Sequence, residues 1–147
     1  MIETPLATDY EGKARNPKWE RELFNWLRKQ TEETRFTFLM ELVKYQVTVA
    51  LQLAHKTLES RASFVGLLEF AVTNCDASSI RYWLDSVVPR LGFRRTADNL
   101  LRLSESEMDG VLKAMYWLPQ YASSDADQVK LSQLEEVLSG RRRNNPP

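Results

Sequence analysis

The chain has 147 residues, with 20 Lys+Arg, 20 Asp+Glu, one His and one Cys. A chain of this length buries enough surface to hold a core without staples, and the single Cys75 excludes both an internal disulfide and a Cys-rich zinc site. The zero net charge speaks against a broad electrostatic grip on nucleic acid or anionic membrane.

Charge is unevenly spread. Residues 76–103 carry Arg81, Arg90, Arg94, Arg95 and Arg102 against Asp76, Asp85 and Asp98, whereas residues 104–140 are acidic, with only Lys113 and Lys130 as cations. The longest uncharged stretches, 45–55 and 114–124, are well short of the ~20 residues a membrane helix needs. No basic-then-apolar leader pattern stands at Met1-Ile2-Glu3-Thr4-Pro5. The expectation is a soluble, cytoplasmic protein.

Residues 1–15 have no sustained period and are expected to form a flexible N-terminal arm, partly docked through Leu6 or Tyr10. Asn16-Pro17 then reads as an N-cap followed by proline at the first helical position. Trp19, Leu23, Trp26 and Leu27 follow at helical spacing, which predicts a first helix over 17–29. The segment 33–59 contains no Gly or Pro. Thr37, Glu41, Lys44, Thr48, Gln52, His55 and Glu59 recur in steps of three and four, which predicts one long helix with a single polar face. It is apolar around most of its circumference and is expected near the centre of the fold.

Ser60 or Ser63 can cap a third helix over 62–74. Asn74 to Ser79 is a break, and a fourth helix follows through Ile80, Trp83, Leu84, Val87 and Val88, with Pro89 expected to stop or kink it. Gly92 marks the next break, before a fifth helix over 93–103. Ser104-Glu105-Ser106-Glu107 has capping-box spacing and should open a sixth helix ending near Leu118 and Pro119. Asp125 and Asp127 suit the positive end of a seventh helix, with Gly140 as its stop. Residues 141–147, with Arg141, Arg142 and Arg143, are expected to be a disordered basic tail. The predicted architecture is all-α: one domain over 16–140 of six or seven helices, packed as a bundle or as stacked helical hairpins. Tyr82-Trp83-Leu84 and Tyr116-Trp117-Leu118 lie 34 apart, but too little else matches at that offset to make a repeat.

No catalytic or metal-binding constellation is legible. His55 with Glu59 one turn on, and Cys75 near a helix N-terminus, are the only candidates for acid–base or nucleophilic work. Neither has an accompanying motif, and surface or core roles explain both. The five glycines are never clustered, as phosphate-cradling loops require. No cofactor, metal or small-molecule substrate is predicted.

The residues with most potential for binding are Arg90, Arg94 and Arg95, around the Pro–Gly corner, and Trp19 and Trp117. Arginine forks suit phosphate or carboxylate, and tryptophan is enriched at interface hot spots. The bland alternative pairs the arginines with Asp85, Asp98 or the acidic last third, and places both tryptophans in the core. The leading expectation is a non-enzymatic helical module that binds a protein partner or itself. The alternative is a nucleic-acid-binding protein using the arginine cluster and basic tail, and the least favoured reading is an enzyme using Cys75 or His55.

Overall fold

Residues 4–144 are described by the computed structural model, and every regular element among them is helical. The helices are α1 (Pro17–Arg28), α2 (Glu32–Leu42), α3 (Val47–Thr57), α4 (Arg61–Asn74), α5 (Ile80–Leu91), α6 (Phe93–Leu103), α7 (Met108–Trp117) and α8 (Asp125–Asn144). Single 3₁₀ turns lie at Ala7–Tyr10 and Leu118–Tyr121. The all-α expectation holds. The number of α-helices among the described residues is eight rather than six or seven. The chain divides into two compact units, Met1–Ser63 and Phe64–Pro147.

The extra helix comes from the segment expected to be continuous over 33–59. The chain turns between Leu42 and Val47, and Gln46 sits at φ −141° and ψ 68°. No glycine or proline is used. Instead, the Gln46 amide donates to Tyr10 O and Lys13 O, both at 2.8 Å. The break lets α2 and α3 pack together, and Phe38, Leu39 and Leu42 of α2 and Val49, Ala50 and Leu53 of α3 are buried. A straight helix of that length would span ~40 Å and hold those side chains apart. Most of the predicted polar face survives the turn: Thr37, Glu41, Lys44, Thr48, Gln52 and Glu59 are exposed, and His55 is half-buried.

Within the first unit, α1 begins as its sequence indicates. Asn16 Oδ1 accepts from Lys18 N at 2.8 Å, and Pro17 is the first helical residue. Arg35 then joins three helices. Its guanidinium donates to Leu27 O and Arg28 O at the end of α1 and to Thr57 O at the end of α3, each at 2.8 Å. These are the carbonyls that a helix end leaves without internal partners. Glu32, one turn earlier, works in the opposite sense. It accepts from Glu59 N at 3.1 Å, Ser60 N at 2.9 Å and Ser63 Oγ at 2.6 Å, all just before or within the first turn of α4. Partial burial raises its pKa, but these hydrogen bonds outweigh that and hold the carboxyl below its ordinary range.

In the second unit, α4 and α7 approach so closely at Gly110 that only glycine fits beside the Val72 carbonyl. Asp76 Oδ1 accepts from the backbone N–H and hydroxyl of both Ser78 and Ser79 ahead of α5, which lowers its pKa to about 2. Three expected boundaries are corrected here. Pro89 does not stop α5, which runs on to Leu91. The last turn is held by the buried Val87, Val88 and Leu91, and Gly92 at φ 91° ends the helix. Ser104 does not cap α7: it closes α6, and its hydroxyl donates to Leu101 O at 2.6 Å. Gly140 does not end α8, because its backbone stays helical and Arg141 beyond it donates to Leu101 O at 2.8 Å.

The acidic opening of α8 is as expected. Ser124 Oγ accepts from Asp127 N, and Asp127 accepts from Ser123 N, both at 3.1 Å. Arg141–Arg143 form its last turn, and residues 145–147 of the predicted tail lie outside the described residues.

Candidate functional site

The N-terminal arm lines a concavity of the first unit. Tyr10, at the end of the first 3₁₀ turn, is buried, and its ring lies 5.0 Å from that of Trp19 on α1. The Trp19 indole N–H donates to Ala14 O at 3.0 Å, and the Gln46 amide holds the Tyr10 and Lys13 carbonyls. These contacts fix the arm as a strap beside α2. Of the two predicted docking points, Tyr10 docks and Leu6 does not: Leu6 is 63% exposed.

Between this strap and the α1–α2 pair runs a groove of about 600 Å³. Its floor is Trp26 against Phe38, edge to face, with ring centroids 5.1 Å apart. Pro5 and Leu6 form the strap wall. The α2 wall carries Thr34, Thr37, Glu33 and Glu41, and no lysine or arginine among the described residues lines the groove. Glu41 pairs with Lys44 at 3.1 Å, whereas Glu33 makes no ion pair among the described residues. The result is an apolar slot with a negative rim.

The predicted site residues fall in three places. Trp19 is half-buried and occupied in holding the strap. Trp117, also half-buried, donates its indole N–H to Ala77 O at 2.6 Å, and the Arg81 guanidinium lies 5.4 Å from its ring centre. Tyr116 packs edge-on against Trp117 and is 75% exposed, so it presents more of this aromatic patch than the tryptophan does.

Arg90, Arg94 and Arg95 flank Gly92 and are exposed. The Arg90 guanidinium stands 5.3 Å from the Phe64 ring centre. Two of the acids expected to pair with these arginines have other partners. Asp85 accepts from the Tyr121 hydroxyl, and Asp98 pairs with Lys130. Burial and the Asp85 carboxylate together raise the Tyr121 pKa. Arg94 and Arg95 occupy the first turn of α6, where cations oppose the helix dipole; helix stability does not explain them.

Cys75 follows the last residue of α4 and is half-buried. Burial pushes its thiol pKa up, opposite to the shift a helix N-terminus would produce. His55 is half-buried on α3 in the first unit. Among the described residues, no group of three His, Cys, Asp or Glu side chains is placed to hold a metal ion, and no helix is long and apolar enough to cross a membrane.

Sequence reasoning missed the groove because its strap wall comes from a segment with no periodic signal. Leu6, beside Pro5 in an otherwise polar arm, was the available clue. The chain matches no protein-family model, no curated protein and no solved structure.

Proposed function

We propose that this chain is a helical interaction module that takes an apolar segment of a protein partner into the groove between the strap and the α1–α2 pair. The observation that carries this reading is the strap wall. An exposed leucine is held over an aromatic floor by contacts made elsewhere, through Tyr10, Trp19 and Gln46. The arm is held through Tyr10, Trp19 and Gln46, while Leu6 stays 63% exposed. A central apolar slot with aromatic anchors and a polar rim is the usual anatomy of a binding hot spot.

The test is capture from source-cell extract with tagged protein, before and after nuclease treatment, using wild type and Leu6→Asp. Leu6 is exposed, so the substitution leaves packing intact while placing a charge in the slot. A protein retained by wild type, resistant to nuclease and lost with Leu6→Asp supports the reading. Equal retention by both proteins refutes the groove as its site.

The arginine corner supports a second reading, binding to nucleic acid through Arg94 and Arg95. What favours it is that both are exposed in the first turn of α6, where the helix dipole disfavours cations, while Asp98 of the same helix pairs with Lys130. Counterion release makes such binding fall steeply with salt. Absence of binding to a mixed-sequence duplex or single strand at low salt eliminates it.

A further inference from the structure

Resting on the groove reading above, we infer that the segment the groove accepts is a short peptide whose large apolar side chains are flanked by lysine or arginine. Charge complementarity over an apolar floor supports this assignment. Trp26, Phe38 and Pro5 offer mostly apolar surface, so the floor favours aliphatic or aromatic anchors. The rim then discriminates among segments that satisfy the floor. Glu33 and Glu41 both stand on α2, eight residues apart, and no lysine or arginine among the described residues lines the groove. Helical rise places them ~12 Å apart along the α2 wall. Glu41 shares its charge with Lys44, so Glu33 is the stronger attractor. An acidic flank would meet like charge at both ends of the slot, and a basic flank would meet opposite charge at both.

The strap strengthens the case. Asp9 turns its carboxylate back to the Leu6 backbone N–H at 3.0 Å, which places a further negative charge on the strap beside Leu6. Thr34 and Thr37 add exposed hydroxyls between the two glutamates, and these can meet the backbone of a bound segment without altering the charge preference.

The experiment uses three synthetic peptides with one common core of Leu and Phe, flanked by Lys, Gln or Glu, titrated into the full chain by calorimetry. Two rim pairs at the surface predict that the Lys-flanked peptide binds about three- to ten-fold more tightly than the Gln-flanked one, and the Glu-flanked peptide more weakly still. The advantage should shrink as salt rises. Glu33→Lys, an exposed substitution, should reverse the order, and Leu6→Asp should weaken all three. Equal affinity for the three peptides with wild type, still lost in Leu6→Asp, overturns the charge inference and leaves the groove reading standing. Binding by none of them overturns both. A concentration-dependent dimer that Leu6→Asp abolishes also overturns the inference, because a second copy of the chain would then be the occupant.

Discussion

Replacing Gly110 with alanine tests the closest packing in the second unit. A Cβ at that position would lie 1.8 Å from the Val72 carbonyl oxygen, 2.7 Å from its carbonyl carbon and 2.8 Å from Val72 Cγ1. A relaxed carbon–oxygen contact is ~3.3 Å, so α4 and α7 must part by ~1.5 Å. The atom in the way is backbone within a helix, and no side-chain rotation relieves it. Adding one carbon to a filled core costs about 1–3 kcal/mol, with backbone clashes at the upper end. Alanine returns about 1 kcal/mol through helix propensity, so Gly110→Ala should lose about 2 kcal/mol net. Gly140→Ala is the matched control. It is also helical, and its Cβ meets nothing within 4 Å. It should gain about 0.5–1 kcal/mol. Urea unfolding followed by circular dichroism gives both midpoints. A Gly110→Ala protein as stable as wild type would refute the proposed α4–α7 contact, whatever Gly140→Ala does.

Glu32→Gln should cost about 1 kcal/mol near neutral pH, because charge-assisted bonds to Ser63, Ser60 and Glu59 become neutral ones. The folded-state pKa of Glu32 is lowered, so its contribution is complete above the ordinary value of 4.5 and disappears as pH falls through the folded value. Wild-type and variant stabilities should therefore converge in acid, and a gap that persists there would show that charge is not the cause. Gln46→Leu should release the strap, since the amide donates to both Tyr10 O and Lys13 O. Hydrogen exchange should rise over residues 5–13 while α2 and α3 remain protected; unchanged exchange would mean that Tyr10 and Trp19 hold the strap alone.

Legibility in the sequence followed the physics of each signal. Helix starts were readable where a side chain satisfies its own neighbours' N–H groups, as at Asn16 before α1 and Ser60 before α4, or where acids meet the helix dipole, as at Asp125 and Asp127 of α8. Stops were less readable. Gly92 ends a helix because its φ of 91° is one that side chains avoid, whereas Gly140 keeps a helical backbone and ends nothing. Composition is the same at the two positions, and only tertiary contact separates them. Ser104 shows the same limit. Its spacing to Glu107 permits a cap, but the serine belongs to the end of α6 and shares that end with Arg141. The engagement of Asp85 with Tyr121 and of Asp98 with Lys130 was not legible, because it depends on partners 36 and 32 residues away.

The turn at Gln46 and the groove are one structural event. Residues 33–59 keep a helical polar period throughout, so local sequence favours continuity. Breaking that helix forgoes internal hydrogen bonds and leaves Gln46 in a conformation outside the helical region. What the break returns is twofold. It brings the apolar faces of α2 and α3 together, and it frees the Gln46 side chain to reach two carbonyls of the arm. The first effect alone would explain a core. The second places Tyr10 and Leu6 beside α2, and so converts a polar arm into one wall of an apolar slot. A segment without punctuation was thus the place where the fold departed from its local signal. The groove, which faces the same α2, is a consequence of that departure rather than of any motif.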